Sequence, residues 1–248
     1  MGYLPDIPFM VFFELTAALV AVGSLLKFSQ HFGRPERVLV FYLCFSVFTE
    51  CIGLTRTIIS ENGLENTPFY LKYPQLINAY WWFNIYTIIS TLCFGFYFKS
   101  QLKSSKFKNF FKWLLIVFLG TTVINLIFSN VYFANYSLYT DISSVIILVA
   151  IISIYYYELL TTDRILSLGR SFAFLISVPV FLYYIAITPL FLLSSFFVPE
   201  ELIFFNFYRS LLASGNFLLY GMFIFGYLWC YWFNKSLNRK SSSLSTSS

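Results

Sequence analysis

The chain has 248 residues, 58% of them hydrophobic and only 11% charged, with a net charge of +5. A soluble domain of this size carries about 25% charged residues, so the composition excludes an ordinary globular protein and points to one embedded in lipid. The basic excess does not indicate a nucleic-acid partner, because the lysines and arginines cluster in alternate gaps between apolar segments.

A helix needs about 20 apolar residues to cross a bilayer core. Seven segments approach or exceed that length, so the sequence predicts an all-α, polytopic seven-transmembrane-helix bundle over residues 1–234. No removable signal peptide is expected at its start, which lacks a positive n-region. The first span, Phe9–Phe28, carries Glu14 at the head of a small-residue face of Ala17, Ala21 and Ser24; Lys27, His31, Arg34 and Arg37 follow. The second, Val38–Ile59, aligns Ser46, Glu50, Gly53 and Thr57 on one face, with Thr49, Arg56 and Ser60 beside it. Glu50 and Arg56 sit roughly 120° apart around the helix, so their partners are expected on other helices.

The third span, Leu76–Phe98, aligns Tyr80, Asn84, Thr87, Thr91 and Gly95, and is followed by a loop bearing Lys99, Lys103, Lys106, Lys108 and Lys112. The fourth, Trp113–Ser129, is the shortest and contributes Thr121, Thr122 and Asn125. The fifth, Ser143–Leu160, ends on Glu158, with Arg164 and Arg170 beyond. The sixth, Phe172–Phe196, holds Pro179 and Pro189. The seventh, Phe204–Phe233, aligns Arg209, Ala213, Asn216 and Tyr220 before a Ser-rich tail, 235–248, read as disordered and cytoplasmic.

The basic residues occupy one set of loops, whereas Asp6, Glu61, Glu65, Asp141, Glu200 and Glu201 occupy the other with Lys72. The positive-inside rule then places the N-terminus outside and the C-terminus in the cytoplasm. On a rise of 1.5 Å per residue, Glu14, Arg56 and Arg209 fall about 6–8 Å below the outer boundary, Asn84 about 12 Å, Glu50 about 15 Å and Asn216 about 18 Å. Small and hydroxyl residues at helical spacing pack transmembrane helices closely. Ionisable residues at depth are costly and mark function more often. Glu14, Glu50, Arg56, Asn84, Arg209 and Asn216 are therefore the candidate ligand-binding or ion-pair residues. Glu14 with Arg56 or Arg209 is the expected pairing, and Glu50 is expected to face a cavity or bound cation.

No catalytic residue, cofactor or metal site is read. The single histidine, His31, lies in a basic loop, and no zinc-hydrolase motif or phosphate loop occurs. The four cysteines all lie within apolar segments, two of them in the second, and offer no C-x-x-C pair or disulfide framework. An enzyme is not expected.

The stretches NAYWWFNIYTIISTLCFGFYFKSQLKS, YYYELL and SLLASGNFLLYGMFIFGYLWC resemble a family of seven-helix inner-membrane proteins of Bacteroidota. They span about a quarter of the chain. The sixth span departs from the family's pattern, with two prolines and no tryptophan. The resemblance carries no activity. It implies a multi-pass protein of the bacterial inner membrane, working beside a separate signalling partner. The expected function is a receptor-like sensor or accessory subunit with an outward-facing polar pocket, its partners being the bilayer and a cytoplasmic or membrane signalling protein. A small-solute transporter and a structural subunit of a membrane complex are the alternatives.

Overall fold

The computed structural model describes residues 6–73, 79–129, 131–162, 171–194 and 202–233, and no strand occurs among them. Backbone groups removed from water pair within helices at no cost in partners, and this sequence supplies long apolar runs to build them. Seven helices of 22 to 28 residues result: α1 (Asp6–Lys27), α2 (Arg34–Glu61), α3 (Tyr80–Gln101), α4 (Ser105–Phe128), α5 (Leu138–Leu160), α6 (Phe172–Ser194) and α7 (Leu202–Tyr227). A π-helical turn, Leu228–Phe233, extends α7. Among the described residues, four stretches are long and apolar enough to cross a membrane: Arg34–Ser60, Ser105–Phe128, Leu138–Leu160 and Ser210–Cys230. Phe172–Ala186 is apolar over a shorter described length. The tail 235–248, the loop with Arg164 and Arg170, and Glu200 and Glu201 lie outside the described residues.

Local chemistry sets the helix ends. Gly33 in an extended conformation precedes α2, and Pro35 fills its first turn, where a missing amide hydrogen costs nothing. Gly63, at φ 65°, turns the chain after α2. Ala79 enters α3 in the left-handed region, φ 51°, a conformation that an L-residue holds only when its surroundings impose it. The fourth helix starts eight residues before the predicted boundary, at Ser105, so the lysine loop contracts to Leu102–Ser104. Lys106, Lys108 and Lys112 ride on the first turns of α4. A positive cluster there opposes the helix dipole. Glu158 at the end of α5 answers it: its carboxylate accepts the Ser104 amide at 3.0 Å and the Lys103 amide at 2.5 Å.

Six helices close a ring in the order α1, α2, α3, α5, α6, α7, with α7 returning to α1. The remaining helix, α4, lies outside, in the groove between α3 and α5. Its outer face is apolar and exposed along Trp113, Ile116, Val123, Ile127 and Phe128. Glycines allow two of the close approaches. A methyl group on Gly95 would meet both ends of the Leu115 side chain of α4, and one on Gly226 would meet Phe172 and Ile176 of α6.

Inside the ring, one half is a plug of rings. Phe94, Tyr97, Phe98, Phe223 and Tyr227 are almost wholly buried. Tyr42 and Phe94 approach to 4.5 Å between centroids, Phe172 and Tyr227 to 4.7 Å, and Phe32 stacks on Tyr227 at 6.1 Å. This end also gathers Lys27, Arg34, Arg37, Lys99, Lys103 and the α4 lysines, because α1, α3 and α7 finish here and α2 and α4 begin here.

Candidate functional site

Past the plug, toward the other end of the ring, the interior becomes polar. Glu14 of α1 is only 3% exposed, and its Oε2 has no hydrogen-bond partner among the described residues. The Tyr220 hydroxyl of α7 reaches its carboxylate, and Glu50 of α2 lies near enough for the two acids to feel each other's charge. No cationic side chain bears on either carboxylate among the described residues. The structure brings Glu14 to Glu50 and leaves Arg56 elsewhere, whereas the sequence paired Glu14 with Arg56 or Arg209; the Arg209 side chain lies outside the described residues.

Hydroxyls extend this pair across the ring. Tyr220 and Ser46 of α2 are 2.7 Å apart, Ser46 and Tyr86 of α3 are 3.2 Å apart, and Tyr86 and Tyr42 are 3.3 Å apart. Each hydroxyl has one hydrogen to donate. If Tyr220 donates to Glu14, then Ser46 donates to Tyr220, Tyr86 to Ser46 and Tyr42 to Tyr86. The chain has a direction, and the charge on Glu14 sets it. Beside it, the Trp82 indole donates to Thr49 at 3.1 Å. Tyr86, Tyr42 and Trp82 escaped the sequence reading because an aromatic among so many aromatics carries no periodic signal.

Asn84 has a different task. Its amide donates to the carbonyls of Asn135 (3.0 Å) and Tyr132 (3.4 Å), and its oxygen accepts the Ser137 amide at 2.9 Å. Ser137 donates to Asn125 and accepts from Thr140. These bonds tie the α4–α5 connection to the start of α3, so Asn84 braces the bundle and does not enter the chamber of Glu14. Asn216 is half-buried on α7, one turn from Tyr220. Arg209 lies on α7, three turns from Tyr220, with its side chain outside the described residues.

Arg56 occupies a rim. With Gly53, Thr57, Ser60, Phe83 and Tyr136 it lines an open groove of about 330 Å³. Its guanidinium lies 5.7 Å from the Tyr80 ring and within reach of the Tyr136 hydroxyl. Burial pushes the Tyr136 phenol above its ordinary value, with the Arg56 charge opposing, so the phenol stays neutral and offers its oxygen to the guanidinium. Gly53 is the groove's inner wall, and a methyl group there would stand 4.0 Å from a carboxylate oxygen of Glu50. No group of three or more potential metal ligands exists among the described residues. Comparisons with protein-family models, curated proteins and solved structures return no match.

Proposed function

We propose that this chain is a receptor-like sensor or accessory subunit of the bacterial inner membrane, with seven spans and a polar chamber open toward the outer face. The observation that supports this reading is Glu14: a buried carboxylate with one oxygen unpartnered, beside a second carboxylate and a hydroxyl chain. An acid near the middle of a span costs at least about 2.5–3.5 kcal/mol even on lenient insertion scales. Two that face each other cannot both ionise cheaply. A proton, a monovalent cation or the ammonium group of a small molecule relieves both costs.

The positive-inside rule sets the basic end of the ring in the cytoplasm and the N-terminus outside. The chamber then lies on the outer side of the plug. Occupancy of the chamber changes the charge on Glu14. A protonated carboxyl can donate to Tyr220 as well as accept from it, so the hydroxyl chain, which joins α1, α7, α2 and α3, is no longer held in one direction. Output passes to a separate partner at the basic end. The aromatic plug favours sensing over passage, since Ser153 and Tyr157, the polar residues of α5 nearest Glu158, are exposed on the outside of the bundle, and Glu158 is held by the α4 start.

Thermal unfolding of the protein in lipid nanodiscs, titrated with sodium chloride and with ethylammonium chloride at constant ionic strength, tests the chamber. At least one of the two should stabilise the wild type saturably and leave Glu14→Gln/Glu50→Gln unmoved. Equal responses of both proteins would sink the proposal.

A further inference from the structure

Glu50, Gly53 and Arg56 occupy positions i, i+3 and i+6 of α2, one inclined row on the helix surface. The row places an anion and a cation about 9 Å apart along the axis, roughly 10 Å between Cα atoms. The residue between them has no side chain. Gly53 lines the groove, and a methyl group there would stand in ordinary contact with Phe83 Cζ at 3.7 Å and Glu50 Oε2 at 4.0 Å, so only the bare glycine backbone and the Phe83 ring edge stand between the rim groove and the Glu50 carboxylate. Arg56 at the groove has an aromatic face beneath it and a phenol beside it, and no carboxylate paired with it among the described residues. Arginine offers a planar fork suited to carboxylates. At the other end, Glu50 lies beside Glu14, and no cationic side chain bears on either acid among the described residues.

We infer that the groove and the chamber form one two-charge site for a small zwitterion, whose carboxylate docks on Arg56 and whose ammonium group passes Gly53 to Glu50. This deepens the proposed function and rests on Glu50 facing a ligand chamber. The groove's volume of about 330 Å³ suits a molecule of amino-acid size. Phe83 walls the groove beside Gly53, so an unbranched carbon chain fits better than a polar one. A ligand with only one charge would leave half the site unanswered.

Isothermal titration of the nanodisc-embedded protein with glycine, β-alanine and γ-aminobutyrate provides the test, with ethylamine and propionate as single-charge controls. At least one zwitterion should bind 10-fold or more tightly than either control. Arg56→Gln should weaken that zwitterion at least 10-fold while leaving ethylamine unchanged. Arg56 has no ion pair among the described residues, and its contacts with Tyr80 and Tyr136 lie at the rim, so an unchanged ethylamine response in this variant separates lost binding from lost folding. Gly53→Val, which fills the gap, should abolish zwitterion binding, and circular dichroism confirms its helix content. If ethylamine binds as tightly as every zwitterion, the two-charge site is overturned and the cation chamber stands. If ethylamine saturates and the zwitterions do not, the same conclusion holds. If none of the five binds and sodium also gives no stabilisation, both readings fall together.

Discussion

At the scale of single residues, the polar groups in this ring divide into those that are satisfied and those that are not. Asn84, Asn125, Ser137 and Thr140 satisfy one another. Glu14 is left with an open oxygen. Replacing Glu14 by Gln removes like-charge repulsion while keeping a group that can accept from Tyr220, so the unliganded protein should unfold at a higher temperature and lose its response to cations. Ser46→Ala should do the opposite. It removes the link between Tyr86 and Tyr220, which keep only Tyr42 and Glu14 as partners, and should cost about 1–2 kcal/mol, the worth of two ordinary hydrogen bonds; chemical unfolding of the two proteins in the same detergent checks it. A Ser46→Ala protein as stable as the wild type would mean the hydroxyl chain is not formed. Glu158→Gln tests the brace at the other end. Losing the anion at the start of α4 should cost about 1 kcal/mol, read as faster hydrogen exchange of the Lys103 and Ser104 amides. Unchanged exchange would remove Glu158 from that role.

At the scale of elements, the ring depends on how closely helices approach. Gly226 puts α7 against Phe172 and Ile176 of α6, with a virtual methyl group 3.1 Å from the Phe172 ring. Both neighbours are buried, and Ile176 is fully so. Gly226→Val should therefore overpack this seam and destabilise by about 1–3 kcal/mol, measured as a fall in the unfolding midpoint. Gly221 has nothing near it, and Gly221→Ala should be neutral or slightly stabilising. If the two variants behave alike, the α6–α7 seam is looser than its geometry says. The outer helix α4 follows another logic. Its exposed apolar face meets hydrocarbon, where a buried and an exposed leucine are solvated alike. Its hold on the ring comes from packing at Leu115, Phe118 and Leu126 and from the two polar braces at its ends.

At the scale of the whole molecule, charge is segregated by end. Every described lysine except Lys72 lies at the plug end, with Arg34 and Arg37; Arg56 and Asp141 lie at the opposite end with the Asn84 brace. Single cysteines at Asn135 and Ser104, in a background lacking the four native ones, should label from opposite sides of the membrane: Asn135 from the periplasm and Ser104 only after permeabilisation. The reverse pattern would invert the chamber and make it face the cytoplasm. Proteoliposomes should show no uptake of the zwitterions or amines that bind, because aromatic rings close the ring's other half. Uptake abolished by Glu50→Gln would replace the sensor with a transporter.

The sequence by itself determined the helical class, the approximate extent of the long helices and the segregation of basic residues, because apolar run length and composition are local quantities. It also marked Glu14, Glu50 and Arg56 as out of place in lipid, since the cost of burying charge needs no partner to be known. Which residues meet was decided only by the tertiary structure. Periodicity gives the face a residue occupies on its own helix, but not the rotation or depth at which two helices dock. Glu14 and Arg56 therefore looked level, yet Glu14 meets Glu50 and Tyr220 while Arg56 lies at a rim above Tyr80. Asn84 shared the polar signature of a ligand group, and only the return of the α4–α5 connection to α3 showed its amide already occupied. The same holds for Gly53, an ordinary small residue in the sequence. Its role as a gap between two charges exists only because Phe83 and Tyr136, from elsewhere in the chain, wall the groove beside it.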